Sequence, residues 1–185
     1  MTAPLLARAD DSMLLLVDLQ DKLLAGIARD TRQSLLQHAG ILVQAARLLD
    51  VPVLGTEQYP EGLGTTAAAL RAHLPTAPVA KTRFSCCGVE AVDQAFAAEQ
   101  RRCVVIAGVE AHICVLQTAL HLLEQGYAPF VVEDTVASRS PAHKRNALAR
   151  LRQAGVIVSN LESVLFEWLG DASHPAFKAV SALIR

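Results

Sequence analysis

Short, uninterrupted apolar runs alternate with segments of helical periodicity along this chain, and that alternation is its tightest constraint. Met13–Val17 is one such run and stops at Asp18. Val51–Gly55, with Pro52 at its beginning, Pro78–Lys81, Cys103–Ala107, Ala128–Val132 and Val156–Ser159 read as further strands. Between them lie helical patterns. Leu35, Ala39, Leu42, Ala46 and Leu49 share one face of residues 31–50, with Asp30 and Gln33 as a capping box. Val89, Val92 and Phe96 line a helix ending near Gln100, and His112–Gln125 is apolar nearly all round before Gly126. Ser140-Pro141 opens a helix with Ala147, Leu148 and Leu151 on its face. Ser159 with Glu162 opens another, to Leu169, and Pro175–Ile184 is the last. Residues 56–77 form a loop-rich stretch with one short helix near Thr66–Ala72.

Strands this apolar are buried on both faces, which requires helices on each side of a parallel sheet. The expectation is one α/β domain over residues 1–185, a three-layer α/β/α sandwich. A chain of 185 residues buries roughly 70% of its unfolded surface and needs no disulfide or metal for stability. Apolar residues at 52% exclude a disordered segment. Seventeen Lys and Arg against 18 Asp and Glu leave a net charge of −1, so nucleic acid is not an expected partner. No run reaches the roughly 20 apolar residues a membrane span needs. Met1–Ser12 lacks the apolar core of a signal peptide. Four cysteines, Cys86, Cys87, Cys103 and Cys114, then read as free thiols of a cytoplasmic protein.

In open α/β sheets ligands bind beyond the carboxyl ends of the strands. Three reactive side chains stand there: Asp18 after the first strand, Lys81 at the end of the third, and Cys114 just past Cys103–Ala107. A thiol at a helix start is expected to have a lowered pKa. The plainer alternatives are a small buried residue for Cys114, a helix cap for Asp18 and a solvated loop lysine for Lys81. Cys103, inside a strand, reads as core, and Cys86 and Cys87 as loop residues near the pocket. His112 lies two residues before Cys114, a spacing at which side chains rarely face each other. No zinc or dinucleotide motif is present.

The blocks LLLVDLQ (with Asp18), KTRFS (with Lys81) and GVEAHICV (with Cys114) resemble the three signature blocks of the isochorismatase-like cysteine hydrolase superfamily. TEQYPEGLG (Thr56–Gly64) and HPAFK (His174–Lys178) resemble its isochorismatase-domain-containing subgroup. The resemblance runs from Met13 to the C-terminus. It implies a Rossmann-like, six-stranded parallel sheet and a catalytic triad of Asp18, Lys81 and Cys114. It also implies a non-proline cis peptide at Val109–Glu110 and an oxyanion hole from the N–H groups of Glu110 and Cys114. Metal-binding relatives carry Thr-x-Asp-x-His; here Gln58 and Pro60 stand at the Asp and His positions, so neither a metal nor another cofactor is expected. True isochorismatases lack the nucleophilic Cys, which argues against vinyl-ether cleavage.

These readings lead to a metal-independent cysteine hydrolase of a small amide or related C–N substrate, working through a thioester. Gln58, Tyr59 and Phe84 are the expected pocket residues, and self-association into a homo-oligomer follows by family analogy. The competing expectation is a catalytically weak oligomeric binding or scaffold member of the same family. A third is a redox sensor with Cys86 or Cys87 as the resolving thiol.

Overall fold

The computed structural model describes residues 4–185, so Met1–Ala3 of the N-terminal segment lie outside it. Six strands form one sheet: β1 (Ser12–Val17), β2 (Val53–Gln58), β3 (Val79–Lys81), β4 (Cys103–Val109), β5 (Ala128–Ala137) and β6 (Ile157–Ser159). All pairings are parallel, in the order β3-β2-β1-β4-β5-β6. The helices are α1 (Asp21–Leu24), α2 (Arg29–Leu48), α3 (Pro60–Leu63), α4 (Ala68–Arg71), α5 (Glu90–Glu99), α6 (Leu116–Glu124), α7 (Pro141–Ala154), α8 (Leu161–Leu169) and α9 (Phe177–Ala182). The three-layer α/β/α sandwich is therefore observed, and the alternation in the sequence is its direct cause.

Successive strand residues feed opposite layers. Leu14 and Leu16 of β1 join the core under α2, α8 and α9, while Met13, Leu15 and Val17 join the core under α5, α6 and α7. Cys103 belongs to the first core and is fully buried. Each large apolar side chain withdrawn from water contributes about 1.5–3 kcal/mol. The faces read from periodicity hold: Leu35, Ala39, Leu42 and Ala46 of α2 and Ala147, Leu148 and Leu151 of α7 are buried.

Several boundaries and caps differ from expectation. β2 begins at Val53 and continues to Gln58, because Pro52 offers no N–H and the polar residues Thr56–Gln58 find partners that keep them inside the sheet. β5 runs five residues past Val132, through Glu133 and Asp134, beside β4. Asp30 lies within the first turn of α2, whose N-cap is Ala28, so no capping box forms. Asn160, not Ser159, caps α8, its side chain accepting from the Ser163 N–H at 2.9 Å. Ser140 precedes α7 without a side-chain cap. α1 starts at Asp21, so Asp18 does not cap it.

β1 and β4 are neighbours although β2 and β3 intervene in sequence, so the chain reverses its winding direction between them. That reversal opens a crevice at their carboxyl ends. Gly108 permits the close approach there: its φ is +131°, and a Cβ would sit on the Val17 carbonyl oxygen and 2.7 Å from the Val17 nitrogen. Gly108→Ala is expected to destabilise the fold by about 3 kcal/mol or more, because backbone must move on both strands. A urea midpoint unchanged from the parent would contradict this.

Candidate active site

Asp18 follows β1 directly, with a left-handed backbone (φ 52°) that turns its side chain into the crevice. Its side chain is fully buried, as is that of Lys81, and the two meet at 2.7 Å. The loop lysine is thus no solvated residue. Burial of two charges costs several kcal/mol unless other groups complete their shells. They do: Thr56 Oγ1 donates to Asp18 Oδ1 at 2.8 Å. Lys81 Nζ donates also to Gln58 Oε1 (2.6 Å) and to the carbonyls of Arg83 and Phe84 (3.1 Å each). Burial still pushes the Asp18 carboxyl above the usual carboxylate range, against the opposing pull of Lys81, Thr56 and Cys114.

Cys114 lies in a wide, π-helical turn, Ala111–Val115, that joins β4 to α6. It is 6% exposed. Its thiol shares the Asp18–Lys81 environment, yet its pKa is pushed up to about 12, first by burial and then by the Asp18 charge, while Lys81 pulls the other way. The sequence suggested a thiol acidified by a helix start. The correction is physical: the helix-end field is a fraction of a charge, whereas burial and a whole neighbouring carboxylate both favour the neutral thiol. Burial likewise raises Cys87 to about 11, Cys103 to about 12, and Cys86. A redox sensor needs an exposed, low-pKa thiol, which none of the four provides.

The Val109–Glu110 peptide is cis. The Glu110 side chain turns away to a second pair: Oε1 meets Arg139 Nη2 at 2.9 Å, and Oε2 accepts from the Arg139 backbone N–H at 2.9 Å. His112 Nδ1 lies 2.9 Å from Ser138 Oγ, so this ring is engaged away from the thiol.

The expected pocket residues divide. Tyr59 is 54% exposed and lines a cavity of about 340 Å³ with Pro60, Glu61, Lys81, Arg83 and Val89. Phe84 is 55% exposed and does not line that cavity; its carbonyl, not its ring, serves the site. Gln58 is buried with both ends of its amide already bonded, to Lys81 and to the Thr82 carbonyl. Sequence reasoning gave Thr56 and Gln20 no role. Gln20, two residues past Asp18, is fully buried, and a buried glutamine implies fixed partners. Among the described residues no three His, Cys, Asp or Glu side chains converge as a metal ligand set. No described helix is long and apolar enough to cross a membrane.

Comparison with known proteins identifies the family and the fold. Residues 12–163 match the Isochorismatase domain family. Isochorismatase domain-containing protein 2 of Pongo abelii is 42% identical over 175 residues, 94% of this chain and 83% of that one. The secreted isochorismatase effector Isc1 of Phytophthora sojae is 40% identical over 78% of this chain and 71% of its own. Among solved structures, the MAR1 ribonuclease of Caenorhabditis elegans is 37% identical with a TM-score of 0.89, covering 96% of this chain and 91% of that one. YcaC from Pseudomonas aeruginosa, solved with covalent acrylamide, is 26% identical with a TM-score of 0.90, covering 99% and 93%. The Escherichia coli YcaC gene product, described as an octameric hydrolase of unknown specificity, is 25% identical with a TM-score of 0.90, covering 100% and 91%. A family match across most of the chain, over the sheet and the crevice that holds Asp18, Lys81 and Cys114, places this protein in the isochorismatase family of hydrolases.

Proposed function

We propose that this chain is a metal-independent cysteine hydrolase that cleaves a small amide or related C–N substrate through a thioester on Cys114. The observation that carries the proposal is the Asp18–Lys81 pair beside a thiol. A buried ion pair is seldom the most stable filling for a core, and hydrocarbon of the same volume often serves stability as well or better. Perturbed titratable groups gathered at a topological crevice are the usual mark of chemistry.

The steps follow from the groups present. Cys114 Sγ attacks the acyl carbon while its proton passes to Asp18, whose raised proton affinity suits it as acceptor. The N–H groups of Glu110 and Cys114 receive the developing oxyanion. The Glu110 N–H supports this role, because it donates to no acceptor among the described residues. Asp18 returns the proton to the leaving amine as the C–N bond breaks. Water, deprotonated by Asp18, then releases the acid and restores the thiol. Lys81 stays charged and balances the negative charge that moves between sulfur and carboxylate.

Covalent acrylamide in the related YcaC supports a nucleophile in this fold that bonds to an electrophilic amide; acrylamide bonds through its vinyl carbon, so the support is for nucleophilicity and not for acyl transfer. The octameric relative supports assembly of this chain into a homo-oligomer. A relative named as secreted means that family membership does not assign a compartment. The ribonuclease name of another relative points to RNA, but with a net charge of −1 this chain has no overall positive charge to draw a phosphate backbone. The test is intact-mass spectrometry after exposure to an amide library, with an RNA oligonucleotide alongside. An acyl adduct localised to Cys114 is the expected result. Cleaved RNA with no adduct would overturn the proposal.

A further inference from the structure

Gln58 closes a circuit of hydrogen bonds that spans three strands. From the end of β1, the Gln20 side chain grips the backbone of Gln58 at both polar groups. Gln20 Oε1 accepts from the Gln58 N–H at 2.7 Å, and Gln20 Nε2 donates to the Gln58 carbonyl at 3.0 Å. Gln20 Nε2 also donates to the Gly64 carbonyl, which ties the following loop to the same point. The Gln58 side chain then reaches β3. Its Nε2 donates to the Thr82 carbonyl at 2.7 Å, so its Oε1 must face Lys81 Nζ, 2.6 Å away. Lys81 completes the circuit on Asp18 at 2.7 Å, and the Gln20 N–H donates to the Asp18 carbonyl at 2.8 Å.

The chemistry of this circuit is directional. An ammonium group has three N–H bonds, and Lys81 Nζ has four oxygen atoms within 3.1 Å: Asp18 Oδ2, Gln58 Oε1 and the carbonyls of Arg83 and Phe84. A backbone carbonyl only accepts, so Thr82 settles which end of the Gln58 amide is nitrogen. We infer that Gln58 is a positioning residue, whose clamped amide oxygen, the nearest of the four at 2.6 Å, fixes the ammonium on Asp18 and together with the other three oxygens leaves Lys81 no hydrogen to offer a substrate. Lys81 then acts on the reaction through its charge alone, and polarisation of the substrate carbonyl falls to backbone N–H groups. This inference rests on the use of Asp18, Lys81 and Cys114 proposed above, and it reassigns Gln58 from substrate contact to support.

Nitrogen-detected exchange at the lysine ammonium tests it without needing turnover. The chain has four lysines, Lys22, Lys81, Lys144 and Lys178, and of these Lys81 alone is buried. In ¹⁵N-lysine-labelled protein at neutral pH, Lys81 should give a protected ammonium cross-peak. Gln58→Leu removes the acceptor and should speed its hydrogen exchange by about tenfold or more, whereas Gln58→Glu keeps an acceptor and should keep the cross-peak. Gln58→Met provides the same measurement should the leucine variant not fold. On any amide that is turned over, Gln58→Leu should lower kcat by about tenfold with KM within about twofold, and Gln58→Glu should recover most of it. Exchange unchanged in Gln58→Leu, or equally fast in Gln58→Glu, would overturn the inference, including the case in which both variants merely lower Tm. Protected exchange that responds to Gln58 in a protein that hydrolyses no amide would uphold the positioning role and remove the proposed activity.

Discussion

Cys114→Ala is expected to abolish the acyl adduct and to lower amide turnover by about 10³-fold or more, while leaving the fold intact. The size follows from the loss of a covalent path, since binding and oxyanion contacts alone recover only a small part of such catalysis. The small cost to stability follows from position. Cys114 sits at the edge of its core in the turn before α6, and removing one sulfur atom there is a minor cavity. The measurement pairs steady-state rates with a urea midpoint. Turnover within tenfold of the parent, by a variant with an unchanged midpoint, would show that Cys114 is not the nucleophile.

Asp18→Asn is expected to move two observables in opposite directions. Turnover should fall by about 10²–10⁴-fold, because the group that takes and returns the proton is gone. Alkylation of Cys114 near pH 8 should become faster, by about tenfold or more. In the parent the thiol is held at about 12 by burial and by the Asp18 charge. Removing that negative charge leaves burial alone as the main force against Lys81, so the thiol's pKa falls and more thiolate is present at a given pH. Below its pKa the thiolate fraction grows about tenfold per pH unit, so parent alkylation should climb from pH 7 to 10 without levelling. The variant should begin to level earlier. Asp18→Asn also leaves the buried Lys81 without its counter-charge, at a cost of about 3–5 kcal/mol, so the rates are compared on protein shown to be folded. Slower alkylation in folded Asp18→Asn would mean that Asp18 activates the resting thiol. Unchanged turnover would remove Asp18 from the chemistry. A slow resting thiol is therefore expected of the hydrolase and does not by itself identify a scaffold.

Much of the site was legible because strand ends are legible. Met13–Val17 stops at a carboxylate, Pro78–Lys81 ends on a cation, and Cys114 follows the most continuous strand. A parallel sheet brings such ends to one edge, whatever the loops do. The polar end of β2 was not legible. Thr56, Glu57 and Gln58 look like loop residues beside Pro60 and Gly62, yet all three are buried inside the fold. Their partners, Asp18, Thr66, Gln20 and Lys81, lie between 9 and 38 residues away. No local periodicity reports a hydrogen bond at that separation.

What the sequence determined by itself was the architecture, the two-faced burial of its strands and the gathering of Asp18, Lys81 and Cys114 at one edge. These depend on apolar periodicity and chain connectivity, which are local and additive along the chain. Only the tertiary structure decided which way the Cys114 thiol is pushed and which partners the site's amides meet. A thiol's pKa depends on whether water or a carboxylate surrounds it, and Cys114 meets burial and Asp18 together. A glutamine's role depends on which groups reach its two ends, and Gln58 meets Thr82 and Lys81. Both are properties of the enclosing space, and that space exists only once the strands are side by side.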